Sequence, residues 1–491
     1  MSVAPATFYK RVEKALGDQR LQGAMDRAME RLVSVRVTSM SAFADGDAVR
    51  DQARAIRAHT LSRLDHYLDQ FTHNVEARGG TVFYAQTAAD AIRYVCDLAR
   101  SRGVQTIAKS KSMVTEELEL NGYLEAGGAK VVETDLGEWV IQLAHDHPSH
   151  IVGPIIHWTK EDVAKLFQRE VGATDEDVSD VPHMTAFARR TLRRAFLQAD
   201  MGISGVNFAI AETGAVCICT NEGNGRLTTT LPRIHVAMMG IERIVPTLED
   251  LGVMLQVLGR SATGQKLTVY TNILSGPRRA GADGSAIAGE PDGPEELHVV
   301  MLDNGRSKLL GGELAEILYC IRCGACLNIC PVYQEIGGHA YGSVYPGPIG
   351  AVLTPALRGI AQFHELPNAS SLCGACREAC PVRIDIPRML LKLREEATHD
   401  PETAAIATPW WLRVGLRGYR WMALRPGMFR LAGRAGGAFS RFLSRDGWIT
   451  RLPGPLGGWT RSRDFPAMPA KSFTQRWQER RTSAQRGSTA S

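Results

Sequence analysis

The spacing of apolar residues changes character along this chain. Over residues 1–75, Leu16, Leu21, Met25 and Met29, and later Ile56, Leu61, Leu64, Tyr67, Leu68 and Phe71, recur at roughly helical spacing. That predicts an α-helical N-terminal segment whose charged faces are simply solvated. From about 80 to 275, TVFYA (81–85), VQTIAK (104–109), AKVVETD (129–135), FAIAET (208–213), AVCICT (215–220), RIHVAMMG (233–240) and LTVYTNI (267–273) read as strands. Helical stretches lie between them, at 88–103, closed by Gly103, and at 114–128. This βαβα rhythm predicts an α/β fold on a mostly parallel sheet. A Gly-, Pro- and acid-rich stretch at 276–296 reads as a loop or linker, and LHVVMLD (297–303) as a last strand.

Past residue 304 the strand pattern stops. Residues 311–338 start as a helix, become a cysteine loop and resume as a helix after Pro331; 338–357 is an irregular crossover; 371–397 is a second cysteine loop followed by a helix. The shifts divide the chain into a helical segment (1–75), an α/β domain (76–303), a cysteine module (304–400) and an irregular helical, basic Trp/Arg-rich region (401–491). The closing RTSAQRGSTAS reads as disordered.

Hydrophobic content of 44% and charged content of 22% over 491 residues suit an ordinary globular protein of several domains. The start lacks the apolar core of a signal peptide, and no stretch approaches the ~18–20 uncharged apolar residues of a membrane span. A cytoplasmic protein is expected, at most peripheral to the inner face of a membrane. The net charge of +5 hides an asymmetry. Residues 411–486 carry 16 Arg/Lys against Asp446, Asp464 and Glu479, so the remainder is acidic. Six of the eight tryptophans lie between Trp410 and Trp477, interleaved with arginines. Such a tail suits a partner subunit or an anionic membrane surface. Nucleic acid is not expected as a partner, because no basic stripe crosses the folded body.

Seven of the ten cysteines form two sets. Cys320, Cys323, Cys326 and Cys330, followed by Pro331, read C-x2-C-x2-C-x3-C-P, the spacing of the bacterial ferredoxin run. Cys373, Cys376 and Cys380, followed by Pro381, repeat its last three members, with Ser370 where the first would stand. Zinc knuckles are the competing reading, but structural zinc favours two C-x2–4-C pairs. Cys96, Cys217 and Cys219 read as small buried apolar residues.

Within the α/β region, Lys109-Ser110-Lys111-Ser112 joins a strand to a helix, where free amides, hydroxyls and ammonium groups suit a small anion. Glu133, Asp135, Glu212, Thr229 and Arg233 are candidates for its second side. His150 and His157 are each read first as structural histidines, and neither a G-x-G-x-x-G run nor a P-loop lysine is present.

KSKSMVTEELELN (109–121), VVETDLGEWVIQL (131–143), PSHIVGPIIH (148–157), AETGAV (211–216) and LPRIHVAMMGIERIVPTLEDL (231–251) resemble the LUD domain of lactate utilisation. With the cysteine runs and the basic tail, the chain from near residue 15 to about 480 resembles the lactate-utilisation protein B family. The resemblance implies a NagB/RpiA/CoA-transferase-like α/β domain followed by an α-helical ferredoxin-type module with two 4Fe–4S clusters. It also implies the iron–sulfur subunit of a multi-component system that oxidises L-lactate to pyruvate, with other subunits of that system as partners and a membrane or quinone-linked electron acceptor. In the alternative, the α/β domain itself acts on or binds a small carboxylate and the clusters are ancillary.

In the ferredoxin pattern the cysteine before proline serves the other cluster. That groups Cys320, Cys323, Cys326 and Cys380 at one cluster and Cys330, Cys373 and Cys376 at the second. The fourth position of the second is open to a Ser370 or Ser371 oxygen, to an outside or partner-supplied ligand, or to conversion into a 3Fe–4S cluster. A 4Fe–4S cluster with one iron lacking cysteine is the expected form.

Overall fold

The computed structural model describes residues 7–278, 293–407, 410–460 and 463–488. Ten strands occur in its first part: β1 (Thr81–Ala85), β2 (Thr106–Lys109), β3 (Lys130–Glu133), β4 (Met201–Gly205), β5 (Phe208–Ile210), β6 (Ala215–Thr220), β7 (Ile234–Gly240), β8 (Ile244–Val245), β9 (Tyr270–Leu274) and β10 (Glu296–Leu302). Six make one sheet in the order β1-β10-β7-β4-β2-β3, and every pair in it is parallel. Its centre is covered on both faces, so β7 is buried at every position, as a parallel sheet requires.

The remaining strands differ from a single-sheet reading. They form a second, four-stranded sheet, β8-β5-β6-β9, in which β5–β6 and β6–β9 are antiparallel. Gly214, in the left-handed region at φ 67°, turns the β5–β6 hairpin. A two-residue strand β8 pairing with β5 gives too short a run for sequence periodicity to register. The linker expected at 276–296 falls largely outside the described residues.

Helices cover both faces of the large sheet. The Ala88–Ser101 helix opens on a reciprocal cap between Thr87 and Asp90. The helix expected at 114–128 is broken instead into Met113–Glu117 and Leu120–Ala126. Glu119 sits between them at φ 52°, and the break turns Glu117 inward to a buried arginine. Helices Lys160–Val171 and Val181–Gln198 are additional to the elements read from periodicity. Their caps, Thr159 with Asp162 and Asp180 before Pro182, are visible in the sequence.

Residues 1–403 and 404–491 separate into two compact units. In the second, helices Trp410–Ala423 and Pro426–Leu443 carry exposed Trp410, Leu431 and Phe442, and Leu424 between them is exposed too. A helix at Phe473–Ser488 replaces most of the disorder expected at the C-terminal end, of which 489–491 lie outside the described residues. No helix among the described residues is long and apolar enough to cross a membrane.

His235 of β7 is buried, and its Nε2 lies 2.8 Å from Ser204 Oγ. Burial pushes its pKa down to about 3, with His298 adding to the fall. The unfolded chain therefore binds a proton there between roughly pH 6.5 and pH 3 that the folded chain refuses, and stability must drop as pH falls through that window. At pH 4.5 the expected loss at this residue is about 2.7 kcal/mol relative to pH 7.5. Urea denaturation across pH 4.5–7.5 should show a flatter acid arm in His235→Gln than in the parent; equal slopes would remove the assignment.

Candidate metal centre

The two cysteine loops repeat one backbone turn. In the first, the Arg322 N–H donates to Cys320 Sγ at 3.3 Å, Arg322 has φ 60° and Gly324 φ 78°, and the Ala325–Asn328 helix follows. In the second, the Leu372 N–H donates to Ser370 Oγ at 3.1 Å, Leu372 has φ 57° and Gly374 φ 85°, and the Ala375–Ala379 helix follows. Ser370 thus occupies the conformational place of Cys320, down to the same i→i+2 hydrogen bond. The turn aims main-chain N–H groups at sulfur. Ala325 serves Cys323, and Ala375 together with the Ser371 hydroxyl serves Cys373.

Cys320, Cys323, Cys326 and Cys380 line one cavity, walled by Ile151, Ile349, Val382 and Ile386. Cys330, Cys373 and Cys376 influence one another electrostatically at a neighbouring position. All are buried except Cys373. Burial pushes the thiols up, Cys323 and Cys376 to about 12 and Cys380 to about 11, with neighbouring cysteines adding to the effect. Main-chain N–H donors acting with Ser371 pull Cys373 down.

The donor set can be tested against what it could hold. Among the described residues the one His/Cys/Asp/Glu group of three or more with all ligand atoms within 4.8 Å of one another contains no cysteine. Four thiolates on one zinc ion stand only about 3.8 Å apart, given Zn–S bonds of about 2.3 Å. Among the described residues no three thiols stand mutually within 4.8 Å, an arrangement that suits a larger polynuclear group better than one zinc ion. Arg322 lines the same cavity, and among the described residues its buried Nη1 has no hydrogen-bond partner. A buried cationic donor of that kind fits an anionic occupant.

Arginines hold the loops in place. Arg36 Nη2 donates to Ala379 O at 2.6 Å, Arg50 Nη2 to Cys380 O at 2.9 Å and Arg54 Nη1 to Arg383 O at 2.7 Å. Fully buried Arg57 donates to Ile244 O at 2.8 Å, to Leu318 O at 2.9 Å and to Glu242 O. These charged faces of the N-terminal helices, expected to be solvated, grip the cysteine loops instead.

Below them lies a buried ionic network. Arg306 pairs with Glu117 at 2.7 Å and Glu242 at 2.9 Å. Arg322 stands 3.5 Å from Glu242 and stacks over the Tyr345 ring at 4.5 Å, and Tyr345 donates to Glu117 at 2.6 Å. Burial by itself would raise Glu242, but Arg306, Arg322 and Arg243 outweigh it and hold the carboxylate down at about 2.

The other candidates are distributed differently. Burial alone would lower Lys109, yet Glu116 at 2.7 Å and Glu133 at 2.5 Å keep its ammonium charged. Lys111 donates to Val152 O at 2.9 Å and faces Glu138 at 3.8 Å. Ser110 is buried, and Ser112 caps the following helix through Thr115 N. Carboxylates thus already surround the two lysines. Asp135 caps the Leu136–Ala144 helix, Glu212 accepts from Leu248 N, and Thr229 donates to Gly225 O. Arg233 lies at the opposite, amino edge of the sheet, donating to Arg102 O, and is not brought to this turn. His150 is buried between Asn328 at 2.8 Å and the N–H groups of Val152 and Gly153, and burial lowers it to about 4. It pins the α/β loop to the first cysteine loop. Cys217 is buried, while Cys96 and Cys219 are only partly so.

Three family models match: LUD domain over residues 68–302, 4Fe-4S dicluster domain over 316–384, and "Lactate utilisation protein B, C-terminal" over 392–482. Lactate utilization protein B of Bacillus licheniformis is 44% identical over 482 residues, covering 98% of this chain and 98% of its own. That of Geobacillus kaustophilus is 47% identical over 479 residues, covering 97% of each. The chain belongs to the lactate utilization protein B family. A crystal structure of a DUF162 family protein from Deinococcus radiodurans matches 49% of this chain and 98% of its own at 13% identity and a TM-score of 0.26, which leaves the fold to be argued from the strands themselves.

In this family member the ionic network sits where the LUD domain meets the dicluster domain: Glu117 and Glu242 belong to the first, Arg322 and Tyr345 to the second. Sequence reasoning missed it, because its members are isolated charges in different elements. Glu242→Gln would leave Arg306 and Arg322 buried without their shared carboxylate. The expected cost is about 3–5 kcal/mol, seen as a lower urea midpoint, with Arg100→Met, in an exposed pair with Asp97 at 2.7 Å, costing less than about 1 kcal/mol. Equal effects would mean that the network adds nothing beyond surface pairing.

Proposed function

We propose that this chain is the iron–sulfur electron-transfer subunit of a multi-component system that oxidises L-lactate to pyruvate. The reading is supported by the two cysteine sets at ferredoxin spacing, by the cavity that Cys320, Cys323, Cys326 and Cys380 line together, and by the 4Fe-4S dicluster match over 316–384. Cys320, Cys323, Cys326 and Cys380 would hold one 4Fe–4S cluster, and Cys330, Cys373 and Cys376 the second. Such clusters supply one-electron storage at a potential set by surrounding charge, hydrogen bonds and solvent. The chain's own contribution is burial, which excludes water, N–H donors on sulfur, and guanidinium groups at Arg57, Arg243 and Arg322 that favour added negative charge. The exposed tryptophan and arginine face of residues 410–443 suits docking on the other subunits of the system; a membrane or quinone-linked acceptor is where the electrons would leave.

The second reading, catalysis or ligand binding at the α/β domain, rests on the Lys109–Ser112 turn. Its lysines are already matched by carboxylates, so an anion arriving there must compete with them. To separate the readings, L-lactate is added anaerobically to this protein alone and with its partner subunits, and cluster reduction is followed by EPR. Reduction only with partners is expected; turnover by this chain alone would sink the relay reading.

At the second cluster, Ser370 would leave one iron without a cysteine. Brief air exposure of the parent protein should then give a three-iron EPR signal, which Ser370→Cys suppresses while iron content per chain is maintained. An air-stable parent cluster would show that a strong fourth ligand is already in place.

A further inference from the structure

A second donor set lies apart from the cysteines. The loop after the Leu136–Ala144 helix leaves through His145 at φ 50° and brings Asp146 against His157. Asp146 Oδ2 is 3.0 Å from His157 Nε2, and Asp146 Oδ1 is 3.9 Å from His339 Nε2. The His147 carbonyl oxygen accepts a hydrogen bond from His339 Nε2 at 2.6 Å, a bond this nitrogen would give up on meeting a metal. One ligand atom from each of Asp146, His157 and His339 lies within 4.8 Å of the other two. Metal–ligand bonds of about 2.1 Å put neighbouring donors about 3.0–3.4 Å apart; the Asp146–His157 spacing already fits, and His339 Nε2 need only move toward Asp146 by about 0.5–1 Å.

The carboxylate is oriented from outside the triad. The His147 N–H donates to Asp146 Oδ1 at 2.8 Å, and the Trp158 indole N–H lies 3.4 Å from Oδ2. The turn carrying His339 is fixed to the same loop, because Gly338 N donates to Ser149 Oγ at 3.2 Å and Tyr333 OH to Ser149 O at 2.6 Å. Outer partners of this kind orient metal ligands. His157 and His339 also line a cavity of about 460 Å³, whose wall includes Arg11, Lys14 and Arg20. The triad is therefore held by neighbours on one side and reached by solvent on the other.

We propose that Asp146, His157 and His339 form a divalent-metal site, separate from the cysteine groups, that takes a first-row transition ion of the zinc or ferrous-iron class and keeps open positions toward the cavity. Two imidazoles and one carboxylate are the donor set for that class, since calcium and magnesium prefer oxygen alone. Asp146 and His157 belong to the LUD match and His339 to the dicluster match, so the ion would bridge the two.

The test uses full-length, cluster-loaded protein dialysed anaerobically against zinc sulfate, with zinc and iron per chain measured by mass spectrometry. The parent should take up about one zinc at unchanged iron content. His339→Gln, on the exposed side, and Asp146→Asn should each weaken uptake at least about tenfold while keeping iron content and thermal midpoint. No saturable zinc uptake by the parent would mean that the triad is a hydrogen-bonded pair with a neighbouring histidine, and overturns the site. Uptake unchanged in both variants would place the zinc on stray cysteine thiols, and overturns it equally.

Discussion

The rest of the structure depends on holding charge away from water where the cysteine loops meet the α/β domain. Arg57, Arg306, Arg322, Arg243, Glu117 and Glu242 are all buried or nearly so. Isolated ions in such a place cost several kcal/mol each, and only close partners offset that. Here the partners are shared. Glu242 faces both Arg306 and Arg322, and Arg57 is met by carbonyls from the second sheet side and from the cysteine module. Cations still outnumber carboxylates, and that excess lies beside the cavity lined by Cys320. An anionic occupant would complete the balance, so the same groups that join the domains also prepare the site.

This dependence explains why the N-terminal helices belong to the centre. Arg50, Arg54 and Arg57 lie three and four residues apart on the Gly46–Ser62 helix, hence on one face. Each reaches a main-chain carbonyl in or near a cysteine loop. The loops have little regular structure of their own and contain non-glycine residues in the left-handed region at Arg322, Leu372 and Arg383. Such conformations persist only where surroundings over-determine them. Guanidinium groups on carbonyls, His150 on Asn328 and short helices after each turn supply that.

Much of this architecture was legible in the sequence, for reasons that also mark where legibility ends. The parallel strands stood out because buried parallel strands read as short apolar runs. The break at Glu119 did not, since it goes with an ion pair between Glu117 and Arg306, 189 residues away. The separation of β5, β6, β8 and β9 into a second sheet is likewise a matter of pairing, which periodicity does not carry. At the metal centre the cysteines announced themselves by type and spacing. The arginines around them were read as solvated because their partners are carbonyls, which leave no trace in residue identity. Lys109 shows the converse: a lysine at a strand end looked free to meet an anion, and its carboxylate neighbours come from Glu116 and Glu133 on separate elements.

The two cysteine groups are built on one turn but are not equivalent, and the difference has a direction. The first is closed by apolar side chains and faced by buried guanidinium groups. The second has serine at the equivalent first position and exposed Cys373 beside it. Added negative charge is better stabilised where cations are close and water is absent, while exchange with another protein needs a group near the surface. On the electron-transfer reading proposed above, the outer group would be the contact point for a partner, and the inner one the place where an electron would rest more favourably. A strong thiolate at Ser370 would close the outer group further, so the missing cysteine and the exposed position are two aspects of one opening.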